Sequence, residues 1–471
     1  MTAAHVGPCV GSWYPDQESK LNALLDDLMA ESCRRIGPCQ TPGPMAFVVP
    51  HAAPLYSGLV AAAAYRHLQM ASPRRVFVLG FCHRGGRRGI AIPDVGSYST
   101  PLGEIAVDTA AVRALCRFAP FRLADEGEVC DHSVEIQLPF VQRAAPSAPV
   151  IPLYVGAMDE AQRSNAARVL ATVRRPGDIL LASSDLTHYG RDYHYMPFPV
   201  DRDIAGRLRE LDRSVMDAAG SLDSELFFEM LRASGATACG VHPIALLLRT
   251  LQCIGGDIYQ EALDYQTSGE ITGDYQASVS YGALGYFPRS SFAVGEEEQA
   301  ELLCSARATL RHLIETGRRE TVAARNLPAL ERRAPVFVSL HHDGELLGCI
   351  GQVTNCLPIS EVVPAMTLAA ALDDPRRPRS VRIPADAEIE ISVLTPMKLV
   401  RGVDAIRIGL DGVYVECGRS HGLLLPQVAH EGWTAQQFLD LTFRKAGLSP
   451  QAYHDPQRRL HTFQAQVFKS A

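Results

Sequence analysis

Short apolar runs and helical stretches alternate along the first 287 residues of the chain. The runs MAFVV (45–49), RVFVL (75–79) and ILLAS (179–183) are each followed by polar or turn-forming residues. Continuous apolar runs bounded by turn signals are typical of strands buried on both faces. Helical stretches such as LNALLDDLMAESCRR (21–35) alternate with them. This alternation predicts an α/β fold, with a mostly buried mixed or parallel sheet flanked by helices.

The pattern changes at residues 286–299, where YFPRSSFAVGEEEQ places a proline and serines before an acidic cluster. Acidic residues suit the first turn of a helix because they face the positive end of its dipole. We therefore place a first domain at residues 1–287, a linker at 288–296 and a second domain at 297–471.

Paired strands are predicted in the second domain. Asp343-Gly344 lies between the apolar runs PVFVSLHH and ELLGCIGQV, and Asp411-Gly412 lies between AIRIGL and VYVEC. An Asp-Gly pair between apolar runs is a strong hairpin signal. The second domain is therefore expected to be α+β with an antiparallel sheet.

Two helices are also predicted in this domain. The first spans residues 297–315 and is closed by Gly317 as a C-cap. The second begins at Thr434 with Gln437 as the partner in a capping box, and ends at Gly447.

The ends of the apolar runs carry the candidate chemistry. His51, His83 and Cys239 each stand where an apolar, strand-like run is expected to stop. In open sheets the ligand crevice lies beyond the carboxyl ends of the strands. Two imidazoles and a thiolate suit iron, copper or zinc, and only three protein ligands leave open positions for catalysis. The sequence therefore predicts a redox metal site at His51, His83 and Cys239. Further candidates at the same edge are Asp185, His188 and His242.

Each of these residues also has a purely structural interpretation. A histidine after a strand can simply cap it through hydrogen bonds. A free cysteine such as Cys239 is most often a small buried hydrophobic residue. Gly240 and Pro243 favour ligation instead, because they allow close backbone approach and a helix start, and a helix N-terminus stabilises a thiolate.

Composition narrows the classes of function. At 471 residues the chain has room for about three domains or two large ones. A formal net charge of -7 with 21% charged residues gives no basic excess, which makes nucleic acid a poor candidate partner. No apolar stretch reaches the ~18 residues of a membrane span and no signal peptide is evident, so a cytoplasmic protein without membrane contact is expected. The 12 cysteines lack a CxxC pair, which favours reduced thiols over disulfides or an iron-sulfur cluster.

Six motifs of the first domain resemble the Memo family, from about residue 6 to residue 287. They are GSWYP (11–15), PHAAPLYSG (50–58), LGFCH (79–83), DHSVEIQLPF (131–140), SSDLTHYG (183–190) and CGVHPI (239–244). The resemblance implies a fold like that of the class III extradiol dioxygenases. It also implies a mononuclear non-haem iron or copper ion held by His51, His83 and Cys239. The sequence departs from the family pattern at Ala53, Pro54 and Arg84.

The family pocket also has an aspartate and a histidine, which correspond to Asp185 and His188. Asp185 is expected to orient the site, and His188 to act as general acid or base. The alternative for this pair is a helix-capping aspartate with a surface histidine. His132 and Glu135 are three residues apart and would share a helix face, either lining the pocket or supporting it.

The second domain resembles the AMMECR family, from about residue 297 to residue 468. LLGCIG (346–351), ISVLTP (391–396) and HGLLLPQVA (421–429) carry the resemblance, although Leu347 stands where the family usually has arginine. Memo and AMMECR proteins occur fused or as neighbours in the system called AmmeMemoRadiSam. That association implies a radical-SAM protein as a partner.

Trp13 and Tyr14 either wall the pocket or pack in the core, and Cys349 is expected in the core of the second domain.

Two functions are compatible with the candidate residues. One is an iron- or copper-dependent oxidoreductase acting on a small, unknown substrate. The other is a metal-binding scaffold that docks a radical-SAM enzyme.

Overall fold

The chain folds into two units, Met1–Pro288 and Arg289–Ala471. A computed structural model describes residues 4–85, 87–325, 327–354, 357–376, 383–455 and 457–470. The first unit is a mixed α/β structure and the second is α+β with antiparallel sheets, which confirms the predicted fold classes. Within the described ranges, no helix is long and apolar enough to cross a membrane.

The first unit contains twelve strands and eleven helices among its described residues. The strands are β1 (His5–Val6), β2 (Ala46–Val49), β3 (Arg75–Gly80), β4 (Ile90–Pro93), β5 (Ser97–Thr100), β6 (Gly103–Ala106), β7 (Phe121–Ala124), β8 (Val150–Val155), β9 (Asp178–Ser183), β10 (His188–Gly190), β11 (Ile258–Thr267) and β12 (Ala277–Pro288). The helices are α1 (Glu18–Ile36), α2 (Pro54–Ala71), α3 (Thr109–Leu115), α4 (Glu126–Val129), α5 (His132–Glu135), α6 (Leu138–Ala144), α7 (Glu160–Val173), α8 (Ile204–Gly220), α9 (Ser224–Ser234), α10 (Val241–Ile254) and α11 (Ser268–Thr272).

A nine-stranded sheet forms the centre of this unit, in the order β10-β12-β2-β9-β3-β8-β4-β7, with β11 paired to β12. Strands β2, β9, β3 and β8 are parallel neighbours, whereas β12 and β4 join them antiparallel. Every residue of β2, β3, β8 and β9 is buried. The continuous apolar runs of the sequence are therefore the interior strands of a covered sheet, as predicted.

The parallel strands bring distant residues to one edge. Val49 pairs with Ser183 and Leu79 pairs with Ala182, so β2, β9 and β3 end side by side. The segments that follow them carry His51, Asp185 and His83. One edge of the sheet thus collects three of the predicted site residues.

Cys239 reaches this edge by a different route, and its predicted position at a strand end is wrong. Residues 236–240 form no strand and lead into α10. A Cβ on Gly240 would lie 2.4 Å from the carbonyl oxygen of Ser183. Glycine therefore lets the start of α10 approach the end of β9, and this approach brings Cys239 to the sheet edge.

The second unit contains two four-stranded antiparallel sheets, ordered β14-β13-β15-β20 and β16-β19-β17-β18. Its strands are β13 (Val336–His342), β14 (Glu345–Gln352), β15 (Glu388–Leu394), β16 (Lys398–Leu399), β17 (Gly412–Cys417), β18 (Ser420–Leu424), β19 (Arg459–Phe463) and β20 (Ala465–Lys469). Its helices are α12 (Glu296–Thr316), α13 (Ile359–Leu372) and α14 (Ala435–Lys445). Gly317 closes α12 in a left-handed conformation, and Thr434 and Gln437 form a capping box on α14, as predicted.

One of the two predicted hairpins is confirmed. Asp343 and Gly344 have positive φ angles of 51° and 79° and join β13 to β14. The predicted hairpin at Asp411 is wrong, because the residues before it form no strand and β17 pairs with β18 and β19 instead. The Asp411 carboxylate accepts hydrogen bonds from the backbone and side chain of Arg407, which closes a local loop.

Gly80 at the end of β3 offers a test of how the sheet edge is packed. A Cβ there would lie 2.6 Å from Ser133 Oγ and 2.7 Å from Val134 Cγ2, both in α5. Gly80→Ala should therefore lower the free energy of unfolding by about 1–3 kcal/mol through overpacking. Hydrogen exchange of the β3 amides and the urea midpoint would measure the change. Gly206→Ala, on an exposed part of α8 with open space around it, is the matched control and should be neutral or mildly stabilising.

Candidate metal centre

The edge residues surround one cavity of about 700 Å³ in the first unit. Its wall combines imidazoles, aromatic rings and a single buried carboxylate. The lining residues are Ser12, Trp13, His51, Ala52, Ala53, Tyr56, His83, His132, Asp185, His188, Tyr193, Ser268, Thr272, Asp274, Ala277, Val279 and Tyr281. His51, His83, Asp185 and His188 thus meet in this cavity, as the strand ends predict.

His51 is the residue that links the candidate ligands. Its ring is buried, with Nδ1 3.0 Å from Ser183 Oγ and Nε2 3.1 Å from Cys239 Sγ. Gln137 Nε2 donates to the same Ser183 hydroxyl at 2.9 Å and holds it in place. Burial, with the nearby charge of His83, lowers the pKa of His51 to about 3. The imidazole is therefore neutral, as a metal ligand must be.

His83 is oriented by a carboxylate. Asp131 Oδ2 accepts from the His83 backbone N–H at 2.9 Å, and Asp131 Oδ1 lies 2.8 Å from His83 Nδ1. The aspartate accepts a hydrogen bond from the Nδ1–H group, which leaves Nε2 as the ring nitrogen available to an ion. A carboxylate behind a histidine in this way is the usual support of a metal ligand.

His132 is a third imidazole that the sequence did not assign as a ligand. Its ring stacks on His83 with a centroid distance of 4.1 Å, and burial lowers its pKa to about 4. Its spacing from Glu135 predicted a shared helix face, but only His132 lines the cavity, while Glu135 contacts His5. The stretch DHS at the start of α5, where a capping aspartate precedes a histidine, is the sequence pattern that could have indicated His132.

The candidate donors form two trios that share His51. One trio is His51, His83 and His132, the other is His51, Asp185 and Cys239, and the ligand atoms of each lie within 4.8 Å of one another. Among the described residues, the predicted set of His51, His83 and Cys239 does not itself form such a trio. His83 and Cys239 therefore belong to different trios, although each lies near His51.

The surroundings of Cys239 favour the thiol form over the thiolate. Its Sγ accepts a hydrogen bond from the Asp185 backbone N–H at 3.2 Å. Burial, with the negative charge of Asp185, raises the pKa of Cys239 well above its usual range. The start of α10 was expected to favour a thiolate, whereas this burial favours the thiol. Cys239 opens instead to a second cavity of about 320 Å³, which His83 and His242 also line.

Asp185 fixes the loop that carries His51. Its Oδ1 accepts from the backbone N–H groups of His51 at 2.7 Å and Ala52 at 3.3 Å. Burial raises its pKa, although these two hydrogen bonds oppose the shift. The contacts fit the predicted orienting role of Asp185, acting through the backbone of His51.

His188 presents one free nitrogen to the cavity. Its Nδ1 lies 2.9 Å from the Leu186 carbonyl oxygen and 3.1 Å from that of Thr237. Carbonyl oxygens only accept hydrogen bonds, so the proton resides on Nδ1 and Nε2 keeps its lone pair. This tautomer suits the predicted general base.

The remaining candidate residues lie in different environments. Trp13 lines the cavity with its ring 4.5 Å from that of His132, whereas Tyr14 is buried in the core. In the second unit Cys349 is half-buried on β14 rather than in the core, and its N–H donates to Asp374 at 2.8 Å. Leu347 packs against the hydrophobic core of that unit.

Comparison with known proteins identifies relatives of both units. The profile described as Memo-like protein matches residues 7–285, and the profile described as AMMECR1 matches residues 303–468. Protein MEMO1 of Xenopus laevis is 30% identical over 283 residues, which cover 58% of this chain and 94% of that protein. A MEMO1 family protein of Thermoplasma volcanium is 30% identical over 280 residues, covering 58% of this chain and 95% of that protein. Both predicted resemblances are thus confirmed.

Two crystal structures of uncharacterized proteins also align with the chain. The protein from Pyrococcus horikoshii is 34% identical and covers 36% of this chain and 89% of its own, with a TM-score of 0.33. The protein from Escherichia coli K12 is 20% identical and covers 52% of this chain and 99% of its own, also with a TM-score of 0.33.

The buried neutral histidines predict how stability depends on pH. The pKa of His51 is about 3 in the folded protein against an ordinary value of 6.5. The unfolded chain therefore takes up a proton first as the pH falls. The stabilisation is complete above pH 6.5 and is lost between pH 6.5 and about 3.

For the metal-free protein, His51→Gln should flatten the fall in unfolding free energy across this window by up to about 1.4 kcal/mol per pH unit. Urea unfolding from pH 7 down to about pH 4 would measure the slope. His194→Asn, at an exposed histidine with a positive φ angle that asparagine tolerates, is the control and should keep the original slope. An unchanged slope in His51→Gln would contradict the assignment of a neutral, buried His51.

Proposed function

The chain belongs to the Memo-like protein family, and on that premise we propose that its first unit is a non-haem, metal-dependent redox protein. The proposed ion is a single iron or copper held at His51, His83 and Cys239, and the proposed substrate is a small molecule. The observation that carries the proposal is that imidazole and thiol donors from separate parts of the chain converge on His51, whose Nε2 lies 3.1 Å from Cys239 Sγ.

The donor set fits such an ion. Imidazole nitrogen and sulfur are ligands that iron and copper accept. Burial keeps the His51 ring neutral, and the Asp131 hydrogen bond orients the His83 ring. His51 Nε2 and Cys239 Sγ are already 3.1 Å apart, so one ion can contact both after a small movement. Cys239 must lose its proton on binding, and metal affinity should therefore fall in acid.

When bound, the ion would supply a redox couple and open coordination positions for a chelating substrate. The protein supplies the rest of the site. A cavity of about 700 Å³ suits a small molecule, and the aromatic side chains of Trp13, Tyr56 and Tyr281 can pack against it. His188 Nε2 can accept a proton from the substrate, while Asp185 holds the His51 loop in position.

The first test is metal content. Protein purified anaerobically from an iron-replete culture should contain close to one iron or copper per chain by elemental analysis. His51→Ala should lose the metal almost completely, because His51 belongs to both trios. His194→Ala, at an exposed histidine outside the cavity, is the matched control and should keep it.

Three further variants identify the ligands. Cys239→Ala and His83→Ala should each lower metal content at least tenfold, whereas His132→Ala should lower it less if the proposed set is the true one. Metal retained in Cys239→Ala but lost in His132→Ala would replace the thiol by the third imidazole. Full metal content in His51→Ala, or a wild-type protein that binds neither ion, would refute the redox site.

A second candidate function is favoured by the AMMECR1 match to residues 303–468. No trio of His, Cys and acidic donors forms in the part of the second unit that the structure describes. This supports a role in binding rather than in metal chemistry, and a radical-SAM protein is the partner we propose for it.

The full chain should then form a complex with a radical-SAM protein of the same organism in size-exclusion chromatography. His51→Ala should form the complex equally well, because docking by the second unit does not need the metal centre. Leu346→Glu, at an exposed leucine of β14, would locate the contact if it weakened the complex. Separate elution of the two proteins at micromolar concentration would argue against the scaffold role.

A further inference from the structure

A second group of metal-binding side chains lies outside the cavity. It consists of His5 on β1, Cys130 just before Asp131, and Glu135 at the end of α5, whose ligand atoms lie within 4.8 Å of one another. Cys130 and Glu135 are buried, and His5 is largely so. The group shares no residue with either trio around His51.

Hydrogen bonds already align these side chains. His5 Nε2 is 3.1 Å from Glu135 Oε1, and His5 Nδ1 is 3.2 Å from Glu126 Oε2. Cys130 Sγ is 3.6 Å from the Tyr98 hydroxyl, and the Tyr98 ring meets His5 edge-on. Nitrogen, sulfur and oxygen donors thus converge from two separate segments, β1 and residues 130–135.

One oxygen in the group lacks a partner. Glu135 is 2% exposed, yet its Oε2 accepts no hydrogen bond from any residue that the structure describes. A Cβ on Gly7 would lie 2.2 Å from that oxygen, so the glycine leaves room for the carboxylate. Burying an unpartnered carboxylate oxygen is unfavourable, and a cation beside it would remove the penalty.

We propose that His5, Cys130 and Glu135 form a second metal site, for a divalent ion of the zinc class. Zinc accepts this mixture of imidazole, thiolate and carboxylate, and three protein ligands leave a fourth position for water. Cys130 and Glu135 flank Asp131 and His132 in the chain, so the ion would fix the segment that orients His83. The site is independent of the redox function proposed for the cavity.

A proton is the competing occupant. Hydrogen bonds to Cys130 and Glu135 raise the pKa of His5 to about 10 in the absence of an ion. An imidazolium could therefore hold the same three groups together. The experiment must distinguish a zinc ion from this proton.

Calorimetry of zinc titrated into the chelator-treated full chain distinguishes a bound zinc ion from a proton on His5. Wild type should bind two equivalents, and His51→Ala should keep one, because only the cavity site is lost. In the His51→Ala chain, Cys130→Ser or Glu135→Gln should weaken the remaining equivalent at least a hundredfold. Cys253→Ser, at an exposed cysteine remote in sequence from the group, is the matched control and should leave it unchanged.

Cobalt binding reports directly on coordination by the Cys130 thiolate, which a purely structural role of Cys130 would not produce. Co²⁺ bound to the His51→Ala chain should show a near-ultraviolet thiolate charge-transfer band that Cys130→Ser abolishes. Gly7→Ala keeps all three donors but displaces the Glu135 carboxylate, and it should weaken cobalt binding at least tenfold.

The proposal is overturned if His51→Ala binds neither zinc nor cobalt, or if its binding is unaffected by Cys130→Ser. Should the cysteine and glutamate variants fail to fold, a zinc-soaked crystal of the wild-type chain decides the question. An anomalous peak among His5, Cys130 and Glu135 supports the site, and its absence there refutes it. If the wild-type chain binds zinc at the His5 group but no metal at the cavity, only the redox proposal is refuted.

Discussion

The buried carboxylate of Asp131 is the contact on which the candidate site depends. Its two oxygens bind the backbone and ring of His83, and Oδ1 also accepts from the Ser133 N–H at 3.0 Å. Burial alone would raise the pKa of Asp131, but the hydrogen bonds from His83 and Ser133 hold it well below its usual range. The carboxylate is therefore an anion, and it joins the segment after β3 to the start of α5.

This anion sets the electrostatic character of the cavity. His51 and His132 are kept neutral because burial disfavours their protonation, so they do not neutralise Asp131. Cys239 keeps its proton for the same reason. His51, His132 and Cys239 are thus uncharged donors near a fixed negative charge, which is a favourable environment for a cation. A bound ion would in turn stabilise the Cys239 thiolate that burial disfavours.

The sequence predicted those parts of the site that follow regular structure. Strands β2, β3 and β9 are covered on both faces, so they appear as continuous apolar runs, and the residues after them could be placed at one edge. Cys239 was harder to place because it lies in a loop, where no periodicity exists to be read. The neighbouring Gly240 indicates close backbone approach, but the sequence does not show that the contact is with the end of β9.

The same limits explain the errors in the second unit. An Asp-Gly pair indicates a hairpin only when both neighbouring segments pair, as they do around Asp343. At Asp411 the carboxylate bonds to Arg407 instead, and Gly412 serves packing, since a Cβ there would lie 2.3 Å from the Phe463 ring. The contact between Gly412 and Phe463 depends on tertiary packing and leaves no local pattern in the sequence.

The short helix α5 shows why neighbouring residues can serve different sites. It has only four residues, and its side chains are directed by what surrounds them as much as by helical spacing. His132 faces the cavity, whereas Glu135 meets His5, which is 130 residues away in the chain. Ser133 holds the helix to β3 through Phe81, with its Oγ accepting from the Phe81 N–H at 2.9 Å. Residues 130–135 therefore form a wall between two groups of donors. The same segment carries His132 and the Asp131 carboxylate behind His83, so the His5 group and the cavity share a single packed turn.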